Sequence, residues 1–395
     1  MRILTLCYEF PPLGGGGGRV VHGLSRELVR LGHEVTVVTM GYRGLPEREM
    51  VDGIDVHRVP GIRQRLYQCS IPEVACHLPM AARVARRLLD EQRFDLAHAH
   101  FIFPDGLNAL GLYRRADLPF LITAHGSDVP GYDPHRLRVA HTVLAPIWRS
   151  IVGAAAIVTC PSGVLAQLVR DNAPDARIEV IPNGLDVGSL DPLRQRRKQM
   201  LVVSKMLERK GIQYLIRALA GTDLGFEVHV VGDGPYMPEI RRTIAETGAV
   251  VRLWGWLDND SEELAQLFRT SSIFVLPSES ENFPIVLLEA MRAGLAIVTT
   301  RGTGCAEVVG DAALSVEPRS AEAIRAAIAR LAGDPELCKS LGAASRARIE
   351  ANFSWAAVGK QYLEAYHRCL KSAPEYRPAT AHSASKAAPH ESWSR

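Results

Sequence analysis

Short apolar, β-branched runs alternate along this chain with longer stretches whose apolar residues recur every three or four positions. In the first half, Arg2–Tyr8, Glu34–Thr39, Asp95–Ala99, Pro119–Thr123, Ala155–Thr159 and Arg177–Ile181 read as strands. Between the first two, Val20, Leu24, Leu28 and Leu31 share one face while Arg26, Glu27 and Arg30 take the other. That spacing predicts a helix over Arg19–Gly32 lying on a sheet. Strand, helix, strand is the rhythm of parallel α/β structure.

Pro182-Asn183-Gly184-Leu185-Asp186 and a basic stretch through Arg194, Arg196, Arg197 and Lys198 interrupt the rhythm, which places a linker at 182–198. The pattern then restarts. Met200–Ser204, Glu227–Val231, Val250–Trp254, Ile273–Leu276 and Ala296–Thr299 read as strands, with helices at Gly211–Leu219 and Ile285–Ala293. Helical runs near 320–333, 335–351 and 354–371 close the chain, and 372–395, rich in Ala, Ser, Pro and His, is expected to be a disordered tail. The expected fold class is α/β, with two doubly wound parallel-sheet domains facing a cleft.

Composition agrees with that reading. The chain has 395 residues, enough for two domains, with 47% apolar and 23% charged residues. Lys+Arg is 46 against Asp+Glu 43, and residues 1–180 hold 20 basic and 18 acidic side chains, so no nucleic-acid footprint emerges. Seven cysteines form no C-x-x-C pair, which argues against a zinc site and against a full disulfide framework. A cytoplasmic setting is expected. The apolar run Ile3–Tyr8 is too short for a signal-peptide core, and Ile151–Cys160 is about half of the roughly 20 residues a membrane span needs, so membrane contact would be peripheral.

Chemistry is sought where strands end. After the first strand, Glu9-Phe10-Pro11-Pro12-Leu13 leads into five glycines, Gly14 to Gly18. Backbone without Cβ can approach a phosphate or sugar there, and the following helix N-terminus adds N–H groups; a merely flexible loop is the alternative. A dinucleotide fingerprint fails, because Arg19 falls at the third glycine and no acid follows Thr39-Met40-Gly41. His125-Gly126-Ser127-Asp128 follows a strand, so His125 sits at a ligand edge, although a lone histidine is often structural. Lys205 and Lys210, five apart before a helix, could clamp a diphosphate or form a solvated charge run. Gly232-Asp233-Gly234-Pro235 reads as a tight turn. In Glu281-Asn282-Phe283-Pro284-Ile285-Val286-Leu287-Leu288-Glu289 the two glutamates lie eight apart, about 12 Å along a helix axis, enough to hold hydroxyls of two sugar rings. Helix-start acid and salt-bridge partner are the alternatives.

In this order the segments resemble the retaining GT-B glycosyltransferases, glycosyltransferase family four with its group 1 domain, over roughly residues 1–371. The resemblance implies two Rossmann-like domains, 1–182 on the acceptor side and 183–353 binding a nucleotide sugar, with helix 354–371 crossing back to the first. It implies that His125 bonds the transferred sugar near O6, that Lys205 and Lys210 neutralise the diphosphate, and that Glu281 holds the O3 and O4 region. Gly16, Gly17, Gly234, Asn282, Phe283, Pro284, Ile285 and Glu289 would bind the donor, Glu289 at the ribose. Two departures stand out: Lys205 replaces a usual arginine and loses the planar fork, and Pro284 replaces a usual glycine and removes an N–H.

The implied activity is retaining transfer of a hexosyl unit from a UDP- or GDP-sugar to a glycan, lipid-linked or small-molecule acceptor, in envelope or extracellular polysaccharide or glycoconjugate synthesis. No carboxylate nucleophile is evident in the N-terminal half, so front-face retention assisted by the leaving phosphate is expected. No cofactor and no metal are expected: Asp258-Asn259-Asp260 resembles a metal-binding pair but precedes a helix, and His98-Ala99-His100 offers two imidazoles without a third ligand. Ala81–Leu89, with Arg83, Arg86, Arg87 and nearby Arg93, is a basic helix suited to an anionic membrane, or simply a solvated one. A nucleotide-sugar epimerase of the same fold and a silent sugar-nucleotide binder are the rival classes.

Overall fold

The computed structural model describes residues 1–66, 69–133, 138–188 and 196–372. Part of the expected linker, 189–195, and nearly all of the expected tail, 373–395, lie outside the described residues. The first half runs β1 (Arg2–Leu6), α1 (Gly16–Arg30), β2 (Glu34–Met40), β3 (Arg48–Val51), β4 (Ile54–Val59), α2 (Ile71–Glu91) and β5 (Leu96–His100). It continues through α3 (Asp105–Ala116), β6 (Phe120–Thr123), α4 (Arg138–Ala154), β7 (Ile157–Cys160), α5 (Gly163–Asn172) and β8 (Ile178–Val180). These strands form one sheet in the order β3-β4-β2-β1-β5-β6-β7-β8, parallel except for the edge strand β3. Four of its inner strands, β5, β6, β7 and all but the first residue of β1, are buried, so they read as unbroken apolar runs.

The second half runs β9 (Gln199–Val203), α6 (Ile212–Leu219), β10 (Glu227–Val231), α7 (Met237–Thr247), β11 (Arg252–Gly255), α8 (Glu262–Thr270) and β12 (Ile273–Leu276). Then come α9 (Ile285–Arg292), β13 (Ala296–Thr300), α10 (Gly304–Val309), β14 (Ala313–Val316), α11 (Ala321–Gly333), α12 (Pro335–Asn352) and α13 (Trp355–Ser372). Its sheet is wholly parallel, in the order β11-β10-β9-β12-β13-β14. In each sheet the chain reverses direction across one gap, between β1 and β5 and between β9 and β12. Ligands of doubly wound sheets sit outside the carboxyl ends of strands at such gaps.

Helix α13 leaves the second half and packs on α1, β5 and β6. Its Trp355, Val358, Tyr362, Ala365, Tyr366 and Cys369 join Ile3, Val21, Leu24 and Val37 in one core. Gly23 on α1 and Gly184 in the crossover leave the room that the Trp355 ring fills. The buried Tyr366 hydroxyl reaches His98 Nδ1 at 2.8 Å, and the Tyr362 hydroxyl reaches Thr123 Oγ1 at 3.1 Å.

The first helix starts three residues earlier than its apolar spacing predicts, so Gly16, Gly17 and Gly18 form its opening turn. Glycine disfavours helix, yet tertiary packing decides here: Leu13 O, Phe101 and the Glu9 side chain occupy the space that side chains on Gly17 and Gly18 would need. The helix predicted at Ile285–Ala293 is present as α9, but the spacing of the two glutamates along one helix axis does not hold. Pro284 is the N-cap of α9 with extended backbone, so Glu281 stays in the preceding loop and only Glu289 is helical. Trp355→Ala is expected to destabilise the first half by about 3–5 kcal/mol, read as a lower urea midpoint.

Candidate functional site

Both sheet gaps open onto one cavity of about 940 Å³, lined by residues of both halves. Every residue expected to bind the donor or carry the transfer borders it: His125, Lys205, Lys210, Glu281, Gly16, Gly17, Gly234, Asn282, Phe283, Pro284, Ile285 and Glu289. The first-half wall comes from the ends of β1, β5 and β6. Tyr8 packs on Phe101 at 4.9 Å between ring centroids, and Phe101 on His125 at 4.4 Å.

His125 is fixed from below and behind. Asp128, itself buried, accepts from the backbone N–H of His125 and Gly126 through Oδ1, at 2.9 and 2.8 Å, and from Ile102 N–H through Oδ2 at 2.8 Å. His125 Nε2 lies 3.1 Å from His100 Nδ1, and the two rings stack. His98 lies against His100 on the same face of β5, as two-residue strand spacing requires. Burial lowers the imidazoles of His98 and His125 to about 3 and pushes His100 well below its ordinary value, so the trio is neutral at pH 7. With one proton between them, His100 and His125 make a single hydrogen bond rather than repel. The two-histidine motif is thus a support for His125, and among the described residues no group of three or more His, Cys, Asp or Glu has the arrangement to hold a metal ion.

The second-half wall carries the charge. Lys205, directly beyond β9, is exposed and makes no ion pair among the described residues. Lys210, at the end of a short 3-10 turn Glu208–Lys210, pairs with Glu281 across the gap between β9 and β12. Glu289 pairs with Arg19 of α1 at 2.8 Å, joining the halves. Gly234 lies flat against the Met206 backbone, and Gly232, at φ +126°, against Ser204 O, so this turn shapes the wall. Phe283 packs edge-on against Phe353 and is largely buried. The α9 N-terminus, with no acidic residue in its first turn, points its partial positive charge at the cavity from Ile285 and Val286.

The glycine loop divides its labour. A Cβ on Gly14 or Gly17 would collide with Glu9 or Phe101, one on Gly16 would touch Ile285 at 3.8 Å, and one on Gly15 would meet nothing. Gly15 alone of these four faces open space.

Four contributors escape a sequence-only reading. Arg19 reads from the sequence only as a helix start and as the residue that breaks a dinucleotide fingerprint. Glu9 is a carboxylate on the first-half wall after all; its Oε2 accepts weakly from Gly15 N–H at 3.4 Å, and burial raises its carboxyl. Ser162 Oγ donates to Asn282 Oδ1 at 2.6 Å while Asn282 Nδ2 donates to His125 O at 3.2 Å, so Asn282 is a bridge between halves. Glu307 accepts from the first N–H groups of α5, Gly163 at 2.6 Å and Val164 at 2.9 Å, a second bridge at a helix N-terminus. Three of the four, Arg19, Ser162 and Glu307, have polar partners more than a hundred residues away along the chain, which leave no local signal.

Two doubly wound sheets facing one charged cleft, with a last helix crossing back, make up the GT-B fold. The profile described as Glycosyltransferase Family 4 matches residues 14–189, and that described as Glycosyl transferases group 1 matches residues 191–348. The chain belongs to this family of glycosyltransferases. It is similar to the glycogen synthase of Mycobacterium tuberculosis, 28% identical over 407 residues, covering 93% of this chain and 94% of that protein. Sucrose-phosphate synthase from Thermosynechococcus elongatus shares the fold at a TM-score of 0.79 and 21% identity, covering 94% of this chain and all of that one. Anabaena HepE, solved in complex with UDP and glucose, does so at a TM-score of 0.70 and 19% identity, covering 93% of this chain and 99% of that one.

The buried histidines set an acid limit. His98 and His100 are 1% exposed with lowered pKa values, so below pH 6.5 the unfolded chain binds protons that the folded chain refuses. Their stabilising effect is complete above that pH and is lost as pH falls toward the folded values, by about 1.4 kcal/mol per pH unit for each histidine. Urea midpoints measured from pH 7 to pH 5 should fall, and the part due to this pair should shrink by about half in His98→Asn.

Proposed function

We propose that this glycosyltransferase moves a hexosyl unit, with retention, from a nucleoside-diphosphate sugar to a glycan, lipid-linked or small-molecule acceptor in envelope or extracellular polysaccharide or glycoconjugate synthesis. The observation that carries the reading is the polarity of the cleft. Lys205, Lys210 and the α9 N-terminus lie on one wall, and the neutral, fixed His125 lines the other. Departure of a sugar leaves charge on the diphosphate, which preorganised positive groups stabilise more in the transition state than in the ground state. Glu281 holds Lys210 in place and offers its remaining oxygen to sugar hydroxyls. Glu289, already bound to Arg19, retains an oxygen for a ribose.

Retention by front-face attack is supported by the state of Glu9. Its carboxyl is packed under Gly14 and Gly17 and turned to the Gly15 N–H, the posture of a loop anchor rather than of a nucleophile. The acceptor then approaches past Gly15 on the first-half side. No metal enters this scheme, since lysines and a helix N-terminus supply the positive charge. The glycogen synthase relative and HepE, bound to UDP and glucose, make a nucleotide sugar the first donor class to test.

Calorimetric titration with UDP, GDP and ADP, with and without magnesium, tests the donor site. One nucleotide is expected to bind selectively, and Glu289→Ala to weaken it; equal affinity of wild type and variant would remove Glu289 from the ribose site. Lys210→Ala is expected to lower turnover roughly 10²–10³-fold. Wild-type turnover in that variant would sink the diphosphate role. An α-linked product from an α-linked donor, read by NMR, is the expected stereochemistry, with turnover unchanged in excess chelator.

A further inference from the structure

Helix α4 is built the wrong way round for a solvated helix. Its seventeen residues include no acid. Trp148, Ile151 and Val152 face the core, which a helix of this length needs, and Trp148 Nε1 donates to Asp128 O at 2.8 Å. The opposite face should then be polar, yet Val139 is 78% exposed, Val143 71% and Ile147 40%. Spaced four apart, these three form one outward stripe, widened by exposed Pro146. Thr142, Ser150 and Gly153 complete the outward face without a charge.

Positive charge borders this stripe. Arg138 and Arg149 lie along one edge of α4, and Arg114 of α3 donates to Ser150 Oγ on α4 at 3.1 Å. Helix α3 packs between α4 and α2, whose exposed Arg83 and Arg86 extend the basic surface. None of these five arginines has a carboxylate partner among the described residues. Of the acids on these helices, Asp90 pairs with Arg115 and Glu91 with Arg87, while the exposed Asp117 at the end of α3 has no ion pair among the described residues.

We propose that the outward face of α4, with the arginines of α2 and α3 beside it, docks this protein on an anionic lipid bilayer. Aliphatic side chains enter the boundary of the acyl region while guanidinium groups meet lipid phosphates. A second copy of the chain fits worse, because a two-fold contact through this stripe brings arginines against arginines. A nucleic acid offers the arginines a partner but leaves the valines and isoleucine in water. The face is coupled to the site: His141 of α4 lies with Nε2 3.1 Å from Ser127 O, and Ser127 lines the cleft two residues beyond His125. Docking therefore brings the acceptor side of the cleft to the membrane, which selects a lipid-linked acceptor. That last step rests on the transferase reading; docking does not.

Flotation of the full chain with phosphatidylcholine vesicles, with and without phosphatidylglycerol, tests the surface. Binding is expected only with the anionic lipid, and to be lost in molar salt. Val139→Ser/Val143→Ser/Ile147→Ser should lower the partition coefficient roughly tenfold or more, and Arg138→Gln/Arg149→Gln by about as much. Unchanged nucleotide binding by both variants shows that they are folded. Failure to float at low salt, flotation indifferent to lipid charge, or wild-type flotation of the triple variant overturns the proposal. So does a dimer in sedimentation that the triple variant abolishes. Flotation by a protein that binds no nucleotide would sink the transferase reading and leave docking intact.

Discussion

The return of α13 to the first half is the constraint on which the rest depends. A cleft between two separate sheets has no geometry of its own; its walls can only be complementary if something fixes their distance and angle. Here one helix from the end of the chain is built into the core of the beginning. Trp355 fills space left by Gly23 and Gly184, so the crossover and α1 are clamped by the same indole. Further along, Tyr366 and Tyr362 bond His98 and Thr123 on the strands beneath the site. The buried hydroxyls therefore order the floor of the cleft and satisfy polar groups that would otherwise be costly to bury.

On that frame the direct bridges between the walls are polar and few. Asn282 reaches Ser162 and the His125 carbonyl, Glu307 the start of α5, and Glu289 reaches Arg19. The Ser162–Asn282 bond is buried, whereas the Glu307 and Glu289 contacts lie nearer water and are worth little alone. Weak bridges suit the proposed reaction, in which the cleft admits a large donor and releases a nucleotide. Rigid attachment lies at α13, beneath the cleft floor, and the more exposed bridges lie at its walls.

Strands buried on both faces were legible in the sequence because burial leaves unbroken apolar runs, as in Phe120–Thr123 and Ile273–Leu276. The edge strand β3 was not, since Arg48 and Glu49 begin it and its place is held by Arg48 bonding Asp55 on β4. The residues bordering the cleft were legible as types at strand ends, but their partners were not. Lys210 and Glu281 are 71 positions apart and Arg19 and Glu289 are 270 apart, so only the fold brings them together. The glycine run is instructive in the same way. Five identical letters hide different environments, and Glu9 and Phe101, delivered by separate strands, decide which of Gly14 to Gly17 meets open space.

In the proposed reaction, charge placement in the cleft lets a lysine serve at position 205 where the resemblance implies a usual arginine. An arginine at position 205 would hold two phosphate oxygens in a planar fork and fix the donor by itself. Here Lys210 is already bound by Glu281, so Lys205 is the mobile positive group on that wall and the α9 N-terminus the fixed one. In the reaction proposed above, this divides recognition of the diphosphate among directed N–H groups, the Glu281-held Lys210 and a flexible ammonium at Lys205. Pro284 agrees with that division. It removes one N–H, but as the extended N-cap of α9 it stops the helix before Glu281 and so aims the remaining amides at the cavity. On the proposed reaction the two departures from the family pattern act together: one leaves the phosphate contact to a flexible ammonium, and the other fixes the helix N-terminus beside it.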